Sequence, residues 1–302
     1  MKQKQPATHK ILIRSYLVFA ALLCVTSPKL FAILTPEIRA VLADIKRKTP
    51  AQKIASMPLE AQKNGGCTQL KKYIYKPDDP THKLFKIAYE NFAIERKGII
   101  HIGAHMAEEL PLYLAFGAQN ILWIEANPKL KTALKKRLAH HKGSKCLFFA
   151  ASNEESEANF CFTPQAPTCS SLLSPARIVE RIPHMRQQER IRVQQKRLDD
   201  VMRAENILHN YNVMLIDVQG AELKALQGST ETLRHIDALI LEVAWCASYA
   251  GGARLHELDD FLRAHNFIRM ETLIDTRLID GDALYVKQAV IDRYNPLFDR
   301  QI

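Results

Sequence analysis

The chain has six cysteines, yet no C-x-x-C pair occurs among them, and no His, Cys, Asp or Glu grouping has zinc-ligand spacing. A structural zinc site is therefore not what organises this protein, and no metal is expected in its site. There is no G-x-S-x-G elbow, so nothing supports an acyl-transfer triad. Glycine is scarce where a dinucleotide would need it. The run Ile99–Glu109, "IIHIGAHMAEE", reads as a strand, a glycine turn and a helix start, but it holds only one of the three glycines of a G-x-G-x-x-G loop. Internal repeats, low-complexity runs and nucleic-acid motifs are also missing. An excess of positive charge is missing from most of the chain as well. Of 42 Lys/Arg and 32 Asp/Glu, residues 1–98 hold 18 and 7, leaving 24 and 25 for residues 99–302, so the excess of +10 belongs to the N-terminal third. A basic surface of this kind suits an anionic lipid surface or simply solubility, and no nucleic-acid partner is expected.

The first 34 residues stand apart. Lys2, Lys4, Lys10 and Arg14 precede the uncharged thirteen-residue stretch "SYLVFAALLCVTS" and then "PKLFAIL". A basic segment followed by a short apolar core reads as a secretory signal or an uncleaved anchor. It is shorter than the roughly 20 residues of a comfortable membrane span, and a buried N-terminal helix is the alternative. Residues 35–97 read as a basic region of short helices, with a helix over 81–96 leading into the first strand. Cys146 and Cys246 lie in apolar runs and read as small packing residues, whereas Cys161 and Cys169 could pair in an exported protein.

After Lys97 the pattern alternates strand and helix. "GIIHIGAH", "NILWIEANP", "CLFFAAS", "NVMLIDVQG" and "ALILEVAW" are apolar strands, separated by helical segments such as "KLKTALKKRLAHHKG", "AELKALQGSTETLRHI" and "LHELDDFLRAHNF". A longer variable stretch, 153–197, interrupts them; its four prolines predict a shaped lid forming part of a substrate pocket. "IRMETLI" and "GDALYVKQ" predict a closing hairpin. Continuous apolar strands alternating with helices predict a mostly parallel, doubly wound α/β sheet covered on both faces, here with a C-terminal antiparallel hairpin. This domain is expected over 98–290, with 291–302 as a tail.

In such a sheet, ligands lie beyond the carboxyl ends of the strands. Four predicted strands end there in a glycine turn or an acid. Gly103 permits a tight turn and a close backbone approach. Glu108 and Glu109 in the helix start disfavour a phosphate, which points instead to a nucleoside-type ligand with a positive centre. Glu125, 22 positions after Gly103, is placed to accept both hydroxyls of a ribose. Asp217, Glu222 and Glu242 sit where two adjacent strands end, with capping of a loop as the structural alternative for each. The two strand-end carboxylates, Asp217 and Glu242, could position a substrate hydroxyl, act as a base, or bind a divalent metal. His105 lies on the turn, whereas His101, within the strand, reads as a buried hydrogen-bonded residue.

Taken in order, "HIGAHMAEELPLYLAFG", "WIEANP", "SSLL", "RLDDVM", "LIDVQGAELKALQGS", "LEV" and "FLRAHNF" resemble the FkbM family of S-adenosylmethionine-dependent methyltransferases over about Gly98 to Lys287. The resemblance implies a Rossmann-like domain with S-adenosyl-L-methionine as cofactor, transferring a methyl group to a hydroxyl of a sugar or other small metabolite. By position, Gly103, Ala104 and His105 would line the methionine end of the cofactor, Glu125 would hold its ribose, and Ala151 and Ser152 would lie near the adenine. Asp217, with Glu222 and Glu242, would face the transfer site as catalytic candidates. Two positions depart from the pattern: His101 stands where an acid is common, and Ala107 near a glycine position. The expected protein is thus an O-methyltransferase held at a membrane by residues 1–34, with its domain on the cytoplasmic side, or exported. The alternative is a non-catalytic membrane-associated or exported binding module that keeps the fold. A nicotinamide enzyme is disfavoured by the missing glycines.

Overall fold

A computed structural model describes residues 80–275 and 280–298. The segments 1–34 and most of 35–97 lie outside the described residues, as does the proposed signal or anchor. Among the described residues, no helix is long and apolar enough to cross a membrane.

The chain enters with helix α1, Pro80–Lys86, prolonged by a π-helical turn over Ile87–Asn91. Then come β1 (Ile99–Ile102), α2 (Leu110–Ala115), β2 (Ile121–Glu125), α3 (Lys131–Leu138) and β3 (Ser144–Phe148). The short β4 (Ala150–Ala151), β5 (Ser156–Phe162), helix α4 (Ile178–Arg181) and β6 (Glu189–Lys196) follow. The remainder is α5 (Leu198–Ala204), β7 (Val213–Ile216), α6 (Glu222–Gln227), β8 (Ala238–Ala244), α7 (Leu255–Ala264), β9 (Phe267–Asp275), β10 (Asp280–Lys287) and α8 (Gln288–Phe298).

Seven strands form one sheet in the order β3-β2-β1-β7-β8-β10-β9. The first five are parallel; β10 inserts antiparallel between β8 and β9, so the expected terminal hairpin is present. The apolar strands read as continuous because both faces are covered, and successive side chains go to opposite sides. Ile100, Ile102, Leu122, Ile124, Met214, Ile216, Leu239 and Leu241 pack with α5, α6 and α7 on one face. Ile99, Ile121, Trp123, Val213, Leu215 and Ile240 pack with α1, α2 and α3 on the other.

The structure revises four expectations. First, the domain begins before residue 98: Leu84 and Phe85 of α1 are fully buried in the second face, so α1 is part of the core. Second, the expected tail from 291 is helical as far as Phe298, because Val290 packs into the same face. Third, the variable stretch holds a small sheet, β4-β6-β5, and the chain leaves the main sheet at Phe149 to join it. Fourth, the helix expected over 221–236 stops at Gln227. A Cβ on Gly228 would lie 1.9 Å from the Ser152 carbonyl oxygen, and a separate 3-10 turn, Thr232–His235, is capped by the Asp199 carboxylate through the N–H groups of Glu231 and Thr232. Cys246 also differs: it lies just past β8 and is exposed. Cys161 and Cys169 are free thiols.

Candidate functional site

Ile102, Ile124 and Ile216 bring three parallel strands to a common edge, and the turns that follow them line a solvent-open crevice of about 580 Å³. Its floor comes from Gly103, His105, Glu125, Asn127, Asp217, Val218 and Gln219. Leu130, Phe149, Ala150, Ala151 and Phe160 form an apolar wall, and Pro167, Thr168, Ser170 and Leu172 of the variable stretch close over it. That stretch was expected to shape a substrate pocket; it lines this crevice.

Gly103 has φ +92, and a Cβ there would lie 1.8 Å from the Asp217 carbonyl oxygen. The glycine is thus required by the neighbouring strand's loop, not by a ligand's approach. The turn continues with His105 at φ +42 and Ala107 at φ +55, both left-handed. Non-glycine residues adopt that region at a cost of order 1–3 kcal/mol. Glu125 holds the turn: its Oε2 accepts from the His105 backbone N–H and its Oε1 from that of Asn127, each at 2.6 Å. Only 6% of Glu125 is exposed. Burial pushes its carboxyl up, against the opposing pull of those two amides and of His105.

The helix-start glutamates act differently from the sequence expectation. Glu108 pairs with His105, Oε1 to Nδ1 at 2.7 Å, and also accepts from the Met106 N–H. Burial pulls His105 down, but the Glu108 bond and the charges of Glu108, Glu125 and Glu109 outweigh it and raise the imidazole. His101 is 2% exposed, bonded through Nδ1 to the Tyr113 hydroxyl at 3.0 Å and packed on Trp123, and burial lowers it to about 3. It is a neutral core residue, and it faces the α2 side with Tyr113 rather than the crevice.

Beyond β7 the loop 217–221 is fastened by Glu222, whose Oε1 accepts from the N–H groups of Val218 and Gly220. Gln219 Nε2 donates to Asp217 Oδ1 at 2.7 Å and to Glu242 Oε2 at 2.8 Å. Asp217 is open to the crevice, yet protein surrounds it at longer range. That deep setting raises its carboxyl, and bonds from Gln219 and Glu242 oppose the rise. Burial pushes Glu222 up to about 7 and Glu242 well above the usual carboxylate range, the latter also through Asp217, Glu222, Asp282 and Asp280.

The structure therefore brings Gly103, His105, Glu125, Ala151 and Asp217 to one crevice. Ala104 is buried behind the turn. Ser152 is also buried, its N–H donating to the Lys196 carbonyl and its own carbonyl packed against Gly228, so neither lines the crevice. Glu222 and Glu242 line the far side of the 217–221 loop. Gln219, Asn127, Phe149 and Phe160 were not singled out from the sequence. Gln219 had a signal, inside "IDVQGAE", but an amide flanked by acids declares no chemistry until its partners are known.

These residues fit S-adenosylmethionine. Glu125 has spare lone pairs for a diol after its two backbone bonds, the aromatic and aliphatic wall suits a purine, and the open Asp217 carboxylate suits a sulfonium.

The Methyltransferase FkbM domain profile matches residues 101–269. No curated protein matches the sequence. Among solved structures, the magnesium protoporphyrin IX methyltransferase of Synechocystis is similar at 10% identity, over 74% of this chain and 86% of that one, with TM-score 0.39. Aeropyrum pernix fibrillarin is similar at 11% identity over 68% and 73%, TM-score 0.38, and the 1,6-didemethyltoxoflavin-N1-methyltransferase of Burkholderia thailandensis at 10% over 70% and 79%, TM-score 0.38. Likenesses this distant carry no argument about function. The profile match is different: it runs from the strand that builds the turn to the closing hairpin, over more than half of the 302 residues. This chain belongs to the FkbM family of S-adenosylmethionine-dependent methyltransferases.

Proposed function

We propose that the protein is an O-methyltransferase acting on a hydroxyl of a saccharide or another small metabolite. The observation that carries this reading is the crevice itself, with Glu125 on one side and the open Asp217 carboxylate on the other. When bound, S-adenosylmethionine supplies a methyl group already activated by its sulfonium. The chain's share is then alignment and removal of one proton. Glu125 holds the two ribose hydroxyls, and the wall of Leu130, Phe149 and Phe160 holds the base. Asp217 accepts a hydrogen bond from the acceptor hydroxyl and orients it. Its raised pKa makes it a better proton acceptor than an ordinary aspartate, while Gln219 keeps its other contact fixed.

His101, where an acid is common, does not weaken this reading, because the nearby charge comes from Glu125 and Asp217. Residues 1–34 are proposed to associate the protein with a membrane, the domain on its cytoplasmic side. Retention of the protein in an alkaline-washed membrane fraction supports this, and full release into the wash overturns it.

The test of function is ligand-dependent stability of the full chain with S-adenosylmethionine, S-adenosylhomocysteine and NAD. A ligand at about a hundred times its Kd stabilises by roughly 2.7 kcal/mol. Both adenosyl ligands should raise the Tm and NAD should not. Acceptors are then sought with methyl-labelled cofactor against neutral sugars and other hydroxylated metabolites. A folded protein that ignores both adenosyl ligands would falsify the reading.

A further inference from the structure

A second cavity, open to solvent and about 360 Å³ with its mouth included, lies on the far side of the 217–221 loop, walled by Glu222, Glu242, Ala244, Ser248, Tyr249 and Asp280 with neighbouring apolar residues. Among the described residues, Gln219 is the only one that lines both this cavity and the crevice. Its amide is held from three directions. Nε2 donates to Asp217, which lines the crevice, and to Glu242, which lines the cavity; the Tyr249 hydroxyl shares its one proton between Oε1 at 2.9 Å and the Cys169 carbonyl at 3.0 Å. The chemistry of the partners decides the amide's orientation, since two carboxylates require N–H groups and a hydroxyl donor requires the carbonyl oxygen. Beneath it the backbone is fixed as well. Gln219 sits at φ +56, and Gly220, at φ +96, lies against the Tyr249 ring, where a Cβ would come within 2.9 Å.

We propose that the second cavity seats the methyl acceptor, and that Gln219 is the partition across which the acceptor's reacting group meets the crevice. The docked part of the acceptor carries hydroxyl or ammonium donors and no anionic group. This deepens the methyltransferase reading and rests on it. The selectivity follows from an exchange of donors. Moving the Gln219 amide aside takes an N–H from each of two carboxylates, and leaving a buried acceptor unpaired costs about 1–3 kcal/mol. A ligand that brings its own hydroxyl or ammonium donors restores those bonds as the amide leaves. An ether or an aliphatic group does not. A phosphate or carboxylate group brings acceptors in place of the two N–H donors, and so leaves Asp217 and Glu242 without them. The nearby guanidinium of Arg181 does not reverse this, since it already bonds Asp280 at 2.7 Å and Ser248. Ile178, Val243 and Ala253 supply an apolar wall for the carbon face of such a ligand.

The experiment uses the full chain saturated with S-adenosylhomocysteine and ligand-observed NMR with four probes at millimolar concentration. Methyl glucoside is the neutral polyol, glucosamine the ammonium-bearing one, and glucose 6-phosphate and glucuronate are the anionic controls. The donor-rich probes should bind, and the anionic ones should bind at least about tenfold more weakly. The neutral and ammonium arms distinguish hydroxyl from amine recognition. Ala244→Phe and, independently, Ser248→Phe fill the second cavity without touching the crevice. Each should weaken probe binding about tenfold or more while S-adenosylhomocysteine affinity stays within about twofold, which also reports that the variant is folded. The proposal is overturned if neither donor-rich probe binds the loaded protein, if the anionic probes bind as well as the others, or if folded filling variants keep full probe binding. Failure of S-adenosylhomocysteine itself to bind sinks the methyltransferase reading instead, so the two failures are distinguishable.

Discussion

Single side chains at the site differ mainly in what else they are asked to do. Glu125 both braces the turn through two backbone amides and offers its remaining lone pairs to the crevice. Glu125→Ala removes two hydrogen bonds to a carboxylate and any bond to a diol, so S-adenosylhomocysteine binding measured by calorimetry should weaken by one to two orders of magnitude, since hydrogen bonds to charged groups are worth about 1.5–3 kcal/mol each. Asp217 braces less and faces the crevice, so Asp217→Asn should leave that affinity nearly intact and cut turnover by about two orders of magnitude or more. Turnover within a few-fold of the wild type would remove Asp217 from the proton-accepting role. The acids at strand ends were legible in the sequence because an acid ending an apolar strand has few packing explanations. Their separate tasks were not. Glu222 looks like Asp217 in one dimension, yet it spends its oxygen on the Val218 and Gly220 amides.

At the level of elements, the turns carry the function and the strands only deliver them. Gly103 illustrates this, since its missing Cβ makes room for the Asp217 carbonyl and so lets the two functional loops lie side by side. Gly103→Ala introduces both that clash and a left-handed backbone for a residue with a Cβ, and the folded protein should lose about 2 kcal/mol or more, read as a lower Tm. Helix α1 is a second case. Its Phe85 is buried against Tyr89, Tyr113 and Phe116, so Phe85→Ala should cost about 3–5 kcal/mol by leaving a cavity. Little loss of Tm would mean that α1 is dispensable to the core. The parallel strands, the closing hairpin and most helices were legible, because hydrophobic runs and periods of 3.6 are local signals. The small sheet β4-β6-β5 was not, because β5 and β6 present mixed, half-exposed residues whose pairing depends on partners 27 to 39 positions away. The need for glycine at 228, where that helix ends, also depends on a distant partner, the Ser152 carbonyl.

On the scale of the whole molecule, gathering Asp217, Glu222 and Glu242 around one loop, with Glu222 buried beneath it, couples stability to pH. Glu222 is raised from 4.5 to about 7 in the folded state. A carboxyl raised on folding favours the folded state while protonated. Its contribution is full below the unfolded value, near 4.5, and is lost as pH rises through about 7. The loss is on the order of 3 kcal/mol, taking 1.36 kcal/mol per unit. Glu222→Gln keeps a side-chain oxygen for the two backbone amides but cannot ionise, so its stability should change less between pH 5 and pH 8 than the wild type's. Matching pH profiles for the two proteins would show that Glu222 does not carry this dependence. The sequence by itself determined the order of strands and helices, the family, and the acids that end the strands, because periodicity, turn chemistry and motif spacing are properties of a chain read along its length. Tertiary structure alone decided that Glu125 faces Asp217 across one crevice, that Ala104 and Ser152 stay outside it, and that Gln219 separates two cavities. Those facts depend on which loops the sheet order brings together, and hydrogen bonds over a few ångströms join residues that the sequence keeps tens of positions apart.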